Sequence, residues 1–231
     1  MKNDMKWKKY MSRPYLLRYL FVICSVFFIG LGTTITRISC LGTEAFTSLN
    51  YSVSELFKLP LGTVMTSISI VLLILAFFFL KNGLGVGTII VMVGLGYSAD
   101  FWGWLIKNVL GYSVDFIGVE HYFLRICFFL TGMIIMVFFT SFYLVADIGM
   151  SAYDTVAYMI EKYTGIPFQW ARIGSDFVCV CLAFIFSSMK GTQWELLGIG
   201  TLIMACGVGP MLNFLIENIA RPIIKKICGE V

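Results

Sequence analysis

Seven polar side chains stand where an apolar chain has least reason to keep them: Glu44, Thr47, Asn50, Asp100, Asp154, Arg172 and Asp176. Each lies within or beside a long hydrophobic run. Ionisable groups in such surroundings are costly, so they are site candidates by default. Glu44 and Asp154 form the sharpest pair. Both fall in the first turn of a short, polar-rich segment. Two carboxylates facing each other there would hold a cation, a proton or an amine. Helix capping is the competing explanation. Ser151-x-x-Asp154 has the form of a capping box, and Glu44 follows Thr43, where a helix dipole favours an anion. The two readings are compatible, because helix starts also bind ligands.

Arg172 and Asp176 are four apart, so on a helix they share a face and can pair. Alternatively Arg172 anchors a carboxylate or phosphate, which its planar fork grips bidentately. Asp100 ends an apolar run; it either lines a cavity or marks the water boundary before Trp102 and Trp104. Arg37 and Asp147 precede the two short segments and read as interfacial charges. Asn50 and Asn213 rank lower as polar partners. The single histidine, His121, falls in a linker, where it serves neither a metal cluster nor a Ser–His–Asp arrangement. No enzyme activity, cofactor or metal is expected. The seven cysteines read as small core residues; Cys179 and Cys181, two apart on a helix, point their thiols in different directions.

The elements that position these residues are membrane helices. Of 231 residues, 59% are hydrophobic and 13% charged, against about 25% charged in soluble domains. The windows Leu59–Leu80, Ile126–Ala146 and Leu196–Ile216 carry no charge, and Gly83–Ile106 carries only Asp100. A span needs about 20 apolar residues to cross a core of about 30 Å. Tyr15–Thr36 (with Arg18) and Ile166–Met189 (with Arg172 and Asp176) also qualify, giving six spans. Lys2, Lys6, Lys8, Lys9 and Arg13 precede the first, which is too long for a signal peptide and reads as uncleaved. Arg221, Lys225 and Lys226 follow the last. The positive-inside rule then places both termini in the cytoplasm, which an even number of spans satisfies. The net charge of +4 sits at the two ends. It forms no folded basic face, so nucleic acid is excluded as a partner.

The chain also resembles itself. An offset of 107 pairs Arg18 with Arg125, Gly42 with Gly149, Ala45 with Ala152, Phe46 with Tyr153, Tyr51 with Tyr158 and Pro60 with Pro167. An offset of 113 pairs Leu84-Gly85-Val86-Gly87-Thr88 with Leu197-Gly198-Ile199-Gly200-Thr201, Gly94 and Gly96 with Gly207 and Gly209, and Phe101 with Phe214. Two anchors in the same order indicate duplication. The segments are a basic N-terminal stretch (1–14), a first membrane repeat (15–108), a linker (109–124), a second membrane repeat (125–220) and a basic tail (221–231). The glycines mimic a nucleotide loop but lie within spans, without the strand–loop–helix context such a loop requires. Gly85, Gly87, Gly94, Gly96, Gly198, Gly200, Gly207 and Gly209 are therefore read as helix-packing positions, where small residues let spans approach closely.

Each repeat reads as a long span, a short segment and two long spans. The short segments, Thr43–Lys58 and Ser151–Thr164, predict amphipathic helices. In the first, Phe46, Leu49, Val53 and Leu56 lie opposite Glu44, Thr47, Tyr51 and Glu55. If these helices do not cross the bilayer, each unit has three spans and the second unit is inverted. If they cross, each unit has four spans and the units are parallel. The first arrangement is favoured, with re-entrant or interfacial short helices, because paired broken segments at matching places mark a transporter's central site.

The stretches LGTEAFTSLN (41–50), LGVGTIIVMVGLGYSADF (84–101), ADIGMSAYDTV (146–156) and LGIGTLIMACGVGP (197–210) resemble the YczE/YyaS/YitT group of bacterial membrane proteins. The likeness runs from about Arg18 to Phe214. That group often reads LGTDPFTS in the first unit and DLGMSPYD in the second. Here Glu44 replaces the Asp, and Ala45 and Ala152 replace prolines. The resemblance implies a multi-pass bacterial plasma-membrane protein and brings no activity with it.

The expectation is thus an all-α integral membrane protein, transporter-like, with a small polar or charged ligand held between its repeats. The expected partners are the lipid bilayer, a small-molecule or ion substrate, and a second copy or a docking protein. The alternative is a non-transporting scaffold or regulator, or a substrate-binding subunit that docks a separate energising protein.

Overall fold

The computed structural model describes residues 13–79, 85–110, 122–149, 151–191 and 197–228. The Lys2–Lys9 cluster and the linker residues Asp115, Glu120 and His121 lie outside the described residues.

The described chain is helical: α1 (Arg13–Ile38), α2 (Ala45–Phe57), α3 (Leu61–Phe79), α4 (Val86–Leu110), α5 (Tyr122–Ala146), α6 (Ala152–Thr164), α7 (Phe168–Ser188), α8 (Ile199–Leu215), a π-helical turn (Ile216–Ala220) and α9 (Arg221–Cys228). Local chemistry sets the breaks. Pro60 and Pro167 precede α3 and α7, at positions where a proline cannot continue the preceding helix. Lys58 and Gly165 end α2 and α6 in the left-handed region, at φ 56° and 72°. Their N–H groups donate to the carbonyls of Ser54 and Glu161.

Five helices are long and apolar enough to span: Tyr15–Ile38, Val86–Val109, Tyr122–Ala146, Trp170–Ser188 and Ile199–Cys228. The sixth expected window, Leu59–Leu80, is covered by α3 (Leu61–Phe79), which passes the same test of length and composition together with α2, from which it is bent by 118°. Outward faces are greasy, as lipid contact requires: Phe123 is 81% exposed and Phe78 74%. This is a multi-pass membrane protein.

At the centre α1 and α5 cross antiparallel. Arg18, near the start of α1, donates to the Ala146 carbonyl at the end of α5 (3.2 Å). Arg125, near the start of α5, donates to the Ser39 carbonyl (2.8 Å) and to that of Cys40 beyond the end of α1. Each arginine thus satisfies carbonyls that a helix end leaves without partners. The helices touch at Gly32 and Gly132, where a Cβ on either would lie 2.7 Å from the other's carbonyl oxygen. Phe28 and Phe139 stack beside them, ring centroids 4.6 Å apart. Three hydrogen bonds fasten α4 to α1: Ser98 and Trp102 donate to the Phe27 carbonyl (2.7 and 2.9 Å), and Thr34 donates to that of Ala99 (3.0 Å).

Two apolar clusters result. One joins α1, α4, α5, α8 and α9 through Val22, Val91, Phe129, Met136, Met204 and Ile224. The other joins α2, α3, α6 and α7 through Phe46, Leu49, Met65, Tyr153, Cys179 and Ala183, with Ala99 of α4 at its edge.

Loops lock the two ends together. The Leu41 carbonyl accepts from the Gly200 N–H (2.8 Å), and the Ile148 carbonyl accepts from the Gly87 N–H (3.0 Å). Gly42 and Gly149 follow at φ 108° and 142°, a region that only glycine enters readily. A Cβ on Gly42 would lie 2.4 Å from Thr201 Oγ1, and one on Gly149 2.7 Å from Thr88 Oγ1. Each LGxGT segment is therefore a socket for a distant loop.

The glycine expectations divide. A Cβ would come within 2.2 Å of Ile148 at Gly85, 2.8 Å of Ile148 at Gly87, 2.8 Å of Val26 at Gly94 and 2.6 Å of Gly62 at Gly96. At Gly198 and Gly200 it would meet Leu41 and Phe129, within 2.3 and 2.5 Å. Gly207 and Gly209, read as packing positions, have nothing within 4 Å. The reason is that α7 leans on α2 and α6 rather than on α8.

Three further expectations need correction. α2 is not half-solvated: its polar Thr47, Ser48, Asn50 and Ser52 are buried together with Phe46 and Leu49. Arg37 is no surface charge. It is buried, ion-paired with Glu55, and its guanidinium carbon lies 5.2 Å from the Tyr51 ring centroid. Of the seven cysteines only Cys179 and Cys228 are buried, while Cys24, Cys181 and Cys206 face outward.

Candidate functional site

Glu44, Asp154 and Asp176 meet at one guanidinium. Arg172, on α7, donates through Nη2 to Glu44 Oε1 (2.9 Å) and through Nη1 to Asp154 Oδ1. Its Nε lies 3.5 Å from Asp176 Oδ1. Three elements supply the carboxylates. Glu44 is the residue before α2, Asp154 sits in the first turn of α6, and Asp176 is one turn beyond Arg172 on α7.

The short helices do the positioning. At the start of α6, Ser151 Oγ accepts from the Asp154 N–H (3.1 Å) and donates to Asp154 Oδ2 (2.7 Å). Asp154 therefore completes a cap with one oxygen and binds Arg172 with the other. Glu44 occupies the N-cap position of α2 but makes no side-chain cap bond. Its carboxylate is committed to Arg172, 128 residues away. Phe46 and Tyr153 stack next to it, centroids 4.5 Å apart and planes 15° from parallel. Tyr153 then serves twice: its hydroxyl donates to Asp176 Oδ1 (2.6 Å), and its ring lies 4.4 Å below the Arg172 guanidinium carbon. Cys179 lies 3.7 Å from the same hydroxyl.

The remaining candidates fall elsewhere. Both oxygens of Asp100 accept from the start of α3, from the Leu61 N–H (3.1 Å) and the Gly62 N–H (2.7 Å). It is a helix cap delivered from α4. Asn50 donates to the Phe46 carbonyl of its own helix (2.6 Å), and Thr47 is buried on α2. Asn213 is exposed on α8. Tyr153 and Glu55 had no place among the sequence candidates. Phe46 and Tyr153 occupy matching positions of the offset of 107, which was the available signal for Tyr153. Tyr51 and Glu55 are four apart on a polar face, which was the signal for the Arg37 pair.

Three carboxylates against one guanidinium leave an excess of negative charge when all are ionised. The four side chains are 19–35% exposed, so the group is lined by protein yet reachable. Among the described residues no three His, Cys, Asp or Glu side chains converge tightly enough to hold a metal ion; here the acids are spread around the arginine. A separate groove of about 320 Å³ between α1 and α5, beside Phe21, Cys24, Phe138 and Phe142, is apolar and holds none of the candidate residues.

Comparisons with known proteins agree on a family and name no activity. The family of unknown function DUF6198 matches residues 16–217. An uncharacterized membrane protein of Bacillus subtilis, YczE, is 25% identical over 207 residues, 88% of this chain and 87% of its own length. An uncharacterized protein of the same organism, YyaS, is 26% identical over 211 residues, 91% of this chain and 98% of its own. No solved structure matches.

Proposed function

The chain belongs to the family of unknown function DUF6198, and from that premise we propose that it is a transporter-like membrane protein with a small cationic ligand, an amine or a proton, as its cargo. The observation that carries this reading is the convergence of Glu44, Asp154 and Asp176 on Arg172 from three separate elements. Capping alone needs no arginine bridge and no acid excess. A cation entering the cluster exchanges places with the guanidinium on one carboxylate, so Arg172 is an internal competitor that makes release possible. The site works by binding and exchange, and no covalent chemistry is proposed for it.

In this reading the chain is two inverted repeats with both termini in the cytoplasm, and α2 and α6 are re-entrant. Several paired observations support it. Arg18 and Arg125, 107 positions apart, each make the same contact with the end of the other's helix. Leu41 and Ile148 bind Gly200 and Gly87 in the same way. Phe46 and Tyr153, also 107 apart, stack on each other as residues flanking a two-fold axis would. The antiparallel crossing of α1 and α5 is what inversion requires. Irregular backbone at membrane depth is tolerated where protein or a wet cavity surrounds it, which fits the burial of α2 on both faces.

The test is thermal stabilisation of the purified protein by methylammonium, guanidinium and a panel of larger amines, followed by uptake of the best ligand into proteoliposomes. At least one amine is expected to stabilise the native chain and to be taken up. Glu44→Gln combined with Asp154→Asn is expected to abolish both while the protein still elutes as a folded species. Unchanged stabilisation and uptake in that double variant would overturn the site. A second reading rests on the internal bonds of the cluster, since Ser151 and Tyr153 already satisfy two of the acids. The cluster would then be a brace in a non-transporting scaffold, and no amine would bind.

A further inference from the structure

We propose that α2, α3, α6 and α7 form one body that rocks against a scaffold of α1, α4, α5, α8 and α9, and that the structure captures one of two end states. The inference rests on the transporter reading and its repeat correspondence, and adds how access to the Arg172 cluster alternates.

The division follows the apolar clusters. Val22, Phe129, Met136, Met204 and Ile224 belong to the scaffold, and Phe46, Leu49, Met65, Tyr153 and Ala183 to the moving body. Glu44, Asp154, Arg172 and Asp176 all ride on the moving body or at its entry. Two of the passages between the bodies run through Gly42 and Gly149, which hold positive φ values that favour glycine.

The two seams between the bodies differ. Along α3 and α4 the seam is shut. A Cβ on Gly96 would lie 2.6 Å from Gly62 Cα and 3.1 Å from Met65 Cβ, and Asp100 caps the Leu61 and Gly62 amides. The repeat offsets carry this contact onto α7 and α8. Gly96 corresponds to Gly209, Asp100 to Asn213, and Leu61 and Gly62 to Phe168 and Gln169. That second seam is open: Gly209 and Gly207 have nothing within 4 Å, Asn213 is exposed, and α7 leans away from α8. An asparagine oxygen can accept from helix-start N–H groups as an aspartate does. Gly209 and Asn213 are thus counterparts of the closed seam's Gly96 and Asp100 left unjoined, with Gln169 and Arg172 standing where that seam has Gly62 and Met65. Rocking the body toward α8 joins them and opens the α3–α4 seam, moving the cluster's access from one side of the bundle to the other. Rigid-body motion of one bundle against another is the usual form of such alternation.

Disulfide trapping in a cysteine-free background tests the motion. Thr66→Cys with Met92→Cys spans the closed seam, where Thr66 Oγ1 lies 3.5 Å from the Met92 carbonyl. Ile173→Cys with Ala205→Cys occupies the corresponding positions of the open one. In native membranes under a mild oxidant both pairs are expected to cross-link within one chain. The second pair is expected to give several-fold more product than either of its single-cysteine parents. If only the first pair closes, or the second links two chains into a dimer, the motion is overturned and the latter result assigns the α8 face to a second copy. Should Ile173→Cys disturb insertion, Gln169→Cys with Gly209→Cys tests the positions that correspond to Gly62 and Gly96 of the closed seam. The cross-links need no ligand. Trapping without amine binding would leave the motion standing and sink the site, and amine binding without trapping would do the reverse.

Discussion

The guanidinium of Arg172 holds the carboxylate of Glu44 at 2.9 Å across 128 residues of sequence. The same group bridges Asp154 and Asp176 and lies over the Tyr153 ring. A lysine cannot reproduce this, because an ammonium is a point charge without a planar fork. Arg172→Lys is expected to keep the fold and, as a weaker internal competitor for the three carboxylates, to raise amine affinity. Arg172→Met takes the hydrogen-bond partner from Glu44 and the counter-charge from Asp154 and Asp176, which keep their bonds to Ser151 and Tyr153, at a cost of about 1.5–3 kcal/mol. Thermal unfolding in detergent, read with and without ligand, separates the two effects.

Asp100 is expected to matter for stability and not for binding. Asp100→Ala removes the cap on Leu61 and Gly62, a loss of about 1 kcal/mol. Asp100→Asn keeps an acceptor and should recover part of it. Amine affinity, measured by titration calorimetry on the folded variants, is expected to stay within the error of the native value.

Arg125→Ala strips the donors from the Ser39 and Cys40 carbonyls, which should cost about 1.5–3 kcal/mol. Arg18→Ala should cost a similar amount at the opposite end of the same helix pair. Distant sites without shared partners add within about 0.5 kcal/mol. The double variant is therefore expected to lose the sum, read from denaturant midpoints, and a markedly smaller loss would mean the two contacts are coupled.

Glycines sort by what surrounds them. Gly85→Ala and Gly198→Ala drive a Cβ to within 2.2 and 2.3 Å of the Ile148 and Leu41 carbonyl oxygens. Such overpacking costs typically 1–3 kcal/mol, as a rough guide, and both variants should express poorly. Gly207→Ala and Gly209→Ala meet nothing within 4 Å and should change stability by less than about 0.5 kcal/mol. Expression level and melting temperature across the four variants check the ordering.

Much of the architecture was legible in the residues themselves. Apolar windows located the long helices because a bilayer demands length and hydrophobicity along one stretch of chain. The first short helix was legible because Phe46, Leu49, Val53 and Leu56 recur at helical spacing. The prominence of Glu44, Asp154, Arg172 and Asp176 was visible too, since charge in an apolar run stands out. Their meeting point was not. Arg172 reads locally as the partner of Asp176, four residues on, and nothing along the chain says that Glu44 and Asp154 also reach it. Asp100 stood out for the same reason, as charge in an apolar run, and its partners, the Leu61 and Gly62 amides, carry no side-chain signal.

Composition and spacing, acting along the chain, thus determined the solvent, the helices and the charged residues that needed an explanation. Tertiary structure decided which carboxylates share the guanidinium, which glycines touch anything, and that α2 with α3 makes a bent pair. Those outcomes depend on how α1 crosses α5 and on which side α7 leans. Packing between elements more than a hundred residues apart sets both, and local propensity carries no record of it.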